Sequence, residues 1–306
     1  MTTFSIIIPC FNAAQTLSET LDAIRLQTHS DWEVLCIDDG SCDDTIGLIQ
    51  RYARLDPRIH LLLNDAKGPS RARNMAAING ATGDVLAFCD ADDIWTHGKL
   101  TQMAHEFKDP TIDALYGQIA FFEDCPSCAT TYSTVPAGPL SIHMLLGENP
   151  VCTMSNIAIR TSTFREVGGF DESMTHNEDL DWLIRLVGSG ARVQGMDCLH
   201  TYYRASPYGL SSNLAAMRQG RAQALQTAAR YGHHPSKAED AIYSRYLARR
   251  ALRLGHSRFS ALWLALQGIC ISPAGFFNVP KRGVFTLLAA CTAPFLPAYL
   301  SRKFFA

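Results

Sequence analysis

The sequence predicts an α/β fold: a mostly parallel central sheet with helices on both faces, followed by a C-terminal helical region. Three observations carry this. Short apolar runs alternate with amphipathic stretches from Thr3 to Cys89, the pattern of parallel strands joined by crossover helices. Three of these runs end on polar or acidic residues, which gathers ligand-binding groups along one rim of the sheet. From about Ser211 the strand signals cease and alanine- and arginine-rich helical periodicity replaces them.

Taken in order, Phe4 to Pro9 reads as the first strand, and Asn12 is placed to cap a helix carrying Leu17, Leu21 and Ile24 on one face. Trp32 to Ile37 is the second strand and ends on Asp38-Asp39-Gly40-Ser41. Asp43 or Asp44 then caps a helix with Ile46, Ile49 and Tyr52. Ile59 to Leu63 is the third strand, Ser70 to Ile78 the third helix and Val85 to Cys89 the fourth strand. Residues Phe121 to Pro139 are rich in Cys, Pro, Ser and Thr and read as irregular or hairpin structure. Order returns with a strand over Ser155 to Arg160, a turn at Val167-Gly168-Gly169-Phe170-Asp171, and a helix opened by Asn177-Glu178-Asp179 with Leu183, Leu186 and Val187 inward. Ala215 to Tyr231 and Ala238 to Leu254 read as helices.

Composition excludes some functions. In 306 residues, 27 Lys and Arg stand against 29 Asp and Glu, so the chain has no general affinity for nucleic acid. Ten cysteines form no disulfide framework, and Cys36, Cys89, Cys270 and Cys291 lie in apolar runs where a reduced thiol acts as a small hydrophobe. Cys125 and Cys128 form a lone C-x-x-C with no second pair at zinc spacing. The opening residues lack a signal-peptide pattern, which gives a cytoplasmic expectation. Near the C-terminus, Phe259 to Ile271 and Val284 to Leu300 are apolar and flanked by Lys281-Arg282 and Arg302-Lys303. Pro294 and Pro297 would break a straight span, so the expectation is a segment lying in the membrane interface, anchored by Trp263 and Tyr299. The alternative is a buried helical hairpin.

Asp90-Ala91-Asp92-Asp93 directly follows the strand Val85 to Cys89, and no lysine or arginine appears before Lys99. Carboxylates so crowded repel one another unless a hard divalent cation or a capping role accounts for them. Glu178, Asp179 and Asp181 also cluster, at a helix start where the dipole alone would favour them.

The ordered motifs resemble the inverting nucleotide-sugar glycosyltransferases of family 2. Ser5-Ile6-Ile7-Ile8-Pro9-Cys10-Phe11-Asn12 is similar to their opening strand, and Glu33 to Thr45 to their second strand and acidic turn. Gly68-Pro69-Ser70-Arg71-Ala72-Arg73-Asn74 resembles their Gly-x-x-x-Ala-Arg-Asn helix start, Asp90-Ala91-Asp92 their Asp-x-Asp motif, and Gly168 to Asp171 with Glu178-Asp179 their acceptor loop and base. The likeness runs from about Thr3 to Ser212. It implies the GT-A fold, with a catalytic domain over residues 1–212 (nucleotide part about 1–97, acceptor part about 98–212) and a helical, basic and apolar region over 213–306.

The resemblance also implies roles. Pro9, Phe11 and Asn12 line the base pocket, and Asp39 accepts from a uracil ring or ribose. Arg73 contacts the diphosphate or pairs with Asp90. Asp90 reaches the ribose or metal, Asp92 coordinates Mn²⁺ or Mg²⁺, and Asp93 caps a helix. Asp179 is the catalytic base, Glu178 orients the site, and Trp182 offers a face to an acceptor sugar or fills the core. His200-Thr201-Tyr202-Tyr203-Arg204 replaces the Gln-x-x-Arg-Trp motif of processive synthases, which implies single addition; His200 is expected to be a strand histidine with a structural hydrogen bond. The expected activity is metal-dependent, inverting transfer of one sugar from a UDP-sugar to a saccharide acceptor, lipid-linked and at the inner face of the cell membrane. A nucleotidyltransferase is disfavoured by the missing glycine-rich Arg-Lys signature. A catalytically silent nucleotide-sugar-binding or scaffold protein is the rival from another class.

Overall fold

A computed structural model of the chain describes residues 2–205, 213–254 and 259–295. It divides into two compact units, Met1–Leu140 with Pro150–Ser206, and Ser141–Asn149 with Pro207–Ala306. Residues 141–149, expected in the acceptor part, thus group with the helical region.

In the first unit, β1 (Phe4–Cys10), β2 (Trp32–Asp38), β3 (Ile59–Leu63) and β4 (Val85–Phe88) run parallel in the order β3-β2-β1-β4. The central strand β1 is almost wholly buried, which is why it reads as a continuous apolar run and not as an alternating one. Beyond β4 the sheet turns mixed. Antiparallel β8 (Ile157–Arg160) pairs with β4 and with β6 (Ala114–Phe122); β6 then runs parallel to β9 (Val193–Arg204). The short strands β5 (Ile94–Trp95) and β7 (Thr131–Tyr132) add to β9 and β6, so β7 supplies the expected hairpin.

Helices cover both faces. Ile6, Ile8, Val34, Cys36, Ala87 and Cys89 form one core with α1 (Leu17–Arg25) and α2 (Thr45–Leu55), placing the buried cysteines as small hydrophobes. On the other face Phe88 packs on Phe164 of α6 (Thr161–Val167), on Phe170, and on Trp182 of α7 (Glu178–Gly188). Between them in sequence, α3 spans Pro69–Met75 and continues as a π turn over Ala76–Gly80, while α4 spans Lys99–Glu106.

Local capping departs from expectation. Helix α1 begins after Thr16, not after Asn12, and Asn12 (φ 49°) instead accepts from the Cys42 N–H at 2.8 Å. Asp43 accepts from both the Ala14 and Thr45 N–H groups, so its carboxylate joins two loops while starting α2.

The second unit holds α5 (Ile142–Gly147), α8 (Leu214–Arg230), α9 (Lys237–Leu254), α10 (Ser260–Ile271), α11 (Pro273–Phe276) and α12 (Pro280–Thr292). Small residues (Ala241, Ala248, Ala261, Ala265, Ala290) let these helices approach closely around Phe276. The apolar tail is packed on one side and exposed on the other. Its inner face is a packed hairpin, whereas Trp263 (56 % exposed), Leu266, Phe285 (68 %) and Leu288 face outward. Cys270 and Cys291 are exposed, not buried. Among the described residues no helix is long and apolar enough to cross a membrane. Arg258, Ser211, Ser212, Pro297, Tyr299, Arg302 and Lys303 lie outside the described residues.

Candidate active site

The site lies within the first unit, at the carboxyl ends of the parallel strands, where an open α/β sheet presents its ligand groups. Residues Phe11 and Asn12 follow β1, Asp39 follows β2, and Asp90 and Asp92 follow β4.

Asp39 organises the loops at the ends of β2 and β3. Its carboxylate accepts from the Gly68 N–H (3.0 Å) and the Asn64 side-chain amide (2.7 Å), and Lys67 donates to its carbonyl. Gly68 has φ 116°, a conformation that glycine alone enters freely, and this turns its N–H toward Asp39. Phe11 is largely exposed, with the Lys67 ammonium 5.1 Å from its ring centroid. Pro9 is partly buried in β1 beside them. An aromatic face, a carboxylate and an ammonium therefore stand together at the ends of β1 and β2. Asp38, the other acid of the turn, is buried and accepts from the Gly40 and Ser41 N–H groups, which makes it structural.

The acidic turn after β4 separates its three carboxylates by environment. Asp90 accepts from Arg73 at 2.7 Å and from the Thr153 hydroxyl at 3.3 Å. Asp92 is partly exposed, and burial together with the neighbouring Asp90 charge pushes its carboxyl up to about 6. Asp93 is fully buried and accepts the Arg204 backbone N–H at 3.0 Å; burial raises it well above the usual carboxylate range. It caps no helix: α4 starts six residues later, and Asp93 instead pins the end of β9. Arg204 also donates through Nε to the Asp92 carbonyl and through Nη2 to Glu19, fixing the turn from a second direction.

Arg73 is the centre of the arrangement. It is buried, and its guanidinium reaches Asp90 on one side and Glu178 on the other, at 2.7 and 3.3 Å. The acid that follows β4 and the acid that opens α7 are thus held on a single cation. Of the two alternatives for Arg73, pairing with Asp90 is present, and the structure adds Glu178. Burial, reinforced by the Asp179 charge and opposed by Arg73, lifts Glu178 to about 7. Asp179 is also raised by burial, with Arg73 and the backbone N–H groups of the α7 start opposing.

Trp182 does not present a face to a sugar. It is fully buried, donates from Nε1 to the Gly168 carbonyl at 3.2 Å, and packs on Phe170 and Phe164 with ring centroids 5.1 and 5.5 Å away. An indole with all its surface covered can only support the site from below. His200 is buried on β9 with Nε2 2.9 Å from the Gln102 side-chain oxygen; burial and nearby Lys99 push it down to about 3, so it stays neutral.

Several contributors escaped the sequence reading. Asn74 donates to the Phe170 carbonyl and accepts from the Phe170 N–H, both at 2.8 Å, so α3 clamps the loop that leads into α7. Gly169 must lack a side chain, because a Cβ there would lie 2.2 Å from the Asn74 oxygen. Asn74→Ala strands a buried N–H and a buried C=O, and an expected loss of about 2–4 kcal/mol follows, measurable by urea unfolding. Ser155 accepts from the Asp90 N–H at its hydroxyl, while its carbonyl accepts from Trp95, Thr201 and the buried Lys99 ammonium. Burial pushes Lys99 down to about 7. Asn74 sat inside a quoted motif, but Ser155 lies in none; it was expected to open a strand and instead lies in the turn Met154–Asn156 before β8.

Among the described residues no three Asp, Glu, His or Cys side chains form a ready cation cage. The donor set still suits a hard cation. Asp92 and Asp90 are oxygen-bearing acids one residue apart in a single turn, and Asp92 remains partly exposed. A cation that takes its remaining oxygens from a diphosphate fits such a pair.

The Glycosyl transferase family 2 profile matches residues 5–168. An Escherichia coli relative, UDP-Glc:alpha-D-GlcNAc-diphosphoundecaprenol beta-1,3-glucosyltransferase WfgD, is 30% identical over 211 residues, covering 68% of this chain and 79% of its own. The amylovoran biosynthesis glycosyltransferase AmsB of Erwinia amylovora is 28% identical over 221 residues, covering 67% and 71%. Among solved structures, S. aureus TarS 1-349 in complex with UDP-GlcNAc superposes with a TM-score of 0.60 at 18% identity, covering 99% of this chain and 89% of that one. The mannosyltransferase PcManGT of Pyrobaculum calidifontis, in complex with GDP-Man and Mn²⁺, gives 0.59 at 18% identity, with 99% and 87% covered. The two structures share the GT-A fold with this chain. With the profile spanning more than half the residues and the matched motifs converging on one sheet rim, the chain is a glycosyltransferase that belongs to family 2.

Proposed function

We propose that this glycosyltransferase moves one sugar, with inversion, from a uridine diphosphate sugar to a saccharide carried on a lipid diphosphate. The observation that carries the reading is Arg73 spanning Asp90 and Glu178, which makes the nucleotide-side and acceptor-side acids one site. Asp39 favours a base edge that offers an N–H, as uracil does, and Phe11 supplies an apolar face beside it. The lipid-linked acceptor follows the named substrate of the E. coli relative, and the exposed apolar faces of α10 and α12 suit a chain that works against a membrane surface.

In the reaction, the Asp179 carboxylate takes the proton of an acceptor hydroxyl as that oxygen bonds to the anomeric carbon. The bond from that carbon to the diphosphate oxygen breaks, and the nucleoside diphosphate leaves with the electron pair. One displacement inverts the centre, so no protein nucleophile is required. Arg73 holds Asp90 and, through Glu178, the start of α7 that carries Asp179. Asp92 and Asp90 would hold Mn²⁺ or Mg²⁺, which when bound supplies Lewis-acid stabilisation of the leaving diphosphate. Adding Mn²⁺ with UDP should raise the unfolding temperature of the wild type and leave Asp92→Asn nearly unmoved. Equal shifts in both would remove Asp92 from the cation site.

The decisive experiment offers UDP-glucose and UDP-GlcNAc with an undecaprenyl-diphosphate-linked monosaccharide and analyses the product linkage by NMR. A product with the inverted anomeric configuration supports the reading. Nucleotide-sugar binding without transfer to any saccharide lipid would favour the silent-scaffold alternative.

A further inference from the structure

Three donors meet on one backbone carbonyl behind the acidic turn. The Ser155 carbonyl accepts from the Trp95 indole at 2.9 Å, from the Thr201 hydroxyl at 3.1 Å and from the Lys99 ammonium at 2.5 Å. A carbonyl offers two lone pairs, so this one carries a donor beyond its ordinary complement. The donors come from β5, β9 and the first turn of α4. The rest of Ser155 serves Asp90. Its hydroxyl accepts the Asp90 N–H at 2.8 Å, and its own N–H reaches the Thr153 hydroxyl (3.3 Å), which donates to the Asp90 carboxylate.

Lys99 is the costly member of this group. It is wholly buried, its hydrogen bonds go to the Ser155 carbonyl and the Thr201 hydroxyl (3.2 Å), and its ammonium lies 3.9 Å from the Trp95 ring centroid. These partners are neutral. Asp93 attracts the ammonium through space, but the Asp93 carboxylate accepts from the Arg204 N–H. A cation in the first turn of a helix also opposes the dipole. A methionine would fill much the same space without taking a charge out of water, so packing alone does not call for a lysine. What the ammonium adds is a third hold on Ser155 and a tie from α4 to β9.

We propose that Lys99 is a positioning residue for the acidic turn, acting through Ser155 to fix the backbone from which Asp90 and Asp92 extend. The weight of Lys99 in the reaction rests on the cation-holding role proposed above for those two acids. A hard cation demands oxygens at set distances, so a turn that shifts by a fraction of an ångström loses affinity. Groups standing behind metal ligands change affinity or activity by about 10–100-fold. Ser155 stands directly behind Asp90, and Lys99 stands behind Ser155.

Three measurements on the full chain test this: the unfolding temperature, amide hydrogen exchange over Asp90 to Asp93, and calorimetry of Mn²⁺ in the presence of UDP. Lys99→Met should unfold at or above the wild-type temperature, because it deletes a buried cation and leaves the Ser155 carbonyl its other two donors. The same variant should exchange about tenfold faster in the turn and bind Mn²⁺ about tenfold more weakly. Ser155→Ala removes the acceptor of the Asp90 N–H and should have both effects on the turn. It decides the matter if Lys99→Met does not fold. Unchanged exchange in the turn, or a lower unfolding temperature with faster exchange across the whole sheet, would make Lys99 a structural residue and overturn the proposal. Faster exchange with unchanged Mn²⁺ affinity would overturn it as well. Absence of Mn²⁺ binding in the wild type is a separate failure: it removes the cation role of Asp90 and Asp92, while exchange in the two variants still decides whether Lys99 holds the turn.

Discussion

Asp179→Asn is expected to slow sugar transfer by about 10²–10⁴-fold, the usual contribution of a positioned general base, while UDP binding stays within a few-fold of wild type. Asparagine keeps the shape of the side chain at the start of α7 but cannot accept the acceptor's proton. The pH profile gives a second reading. Burial raises Asp179 above the ordinary carboxylate range, and burial with the Asp179 charge lifts Glu178 to about 7, so the two titrate as a pair. A base must be ionised to work. The wild-type rate should therefore climb as pH rises through the window from the carboxylate range to about 7 and level above it. The asparagine variant should lose that limb. An unchanged rate in the variant would take Asp179 out of the mechanism, and a retained limb would move the titrating role to Glu178.

Arg73→Leu should be the most damaging single change to stability in the site. It removes the counter-charge of Asp90 and Glu178 from a buried position, and breaking such a pair by deleting one partner costs about 3–5 kcal/mol. The loss depends on pH, with a definite sign. Glu178 in the folded chain holds its proton up to about 7, whereas an unfolded glutamate releases it near 4. The folded state thus binds the extra proton between those values, and stability falls as pH rises through the window. Without Arg73 the ionised Glu178 has no opposing charge, so the variant's deficit should be larger at pH 8 than at pH 5 in chemical unfolding. A deficit below about 1 kcal/mol at pH 8 would show that the carboxylates find other partners. Loss of transfer should accompany it, since Arg73 holds both halves of the site together.

Much of the first unit was legible in the sequence because its signals are local. A strand buried on both faces must be continuously apolar, so Ile6, Ile7 and Ile8 mark β1 without knowledge of any neighbour. Acids placed directly after such strands fall on the carboxyl rim by the topology of parallel sheets alone, which put Asp39, Asp90 and Asp92 together. Capping was less legible. Asn12 has the chemistry of a helix cap, but its side chain is taken by the Cys42 N–H in the adjacent loop, and a long-range hydrogen bond leaves no mark on local pattern. Trp182 illustrates the same limit. Its helical position fits either a sugar platform or a core residue, and the rings of Phe88, Phe164 and Phe170 decide for the core.

The second unit shows the limit most clearly. The sequence marks its helices, their alanine-rich faces and its excess of arginine, but gives no hint that Glu148, almost a hundred residues before Arg245, is the acid on which three of those arginines meet. Nor does hydropathy separate the two faces of α10, where Leu264 is buried and Leu266 is exposed.

By itself, then, the sequence determined the α/β class, the succession of strands along the chain, and the acids that fall at their carboxyl ends, because periodicity and residue type are properties of short stretches. Only the tertiary structure decided which charges share a partner. It separated Asp92, partly exposed in the turn, from Asp93, buried against β9, and it joined Asp90 to Glu178 through Arg73. Electrostatic environment depends on distance in space and on exclusion of water, and neither can be read along the chain.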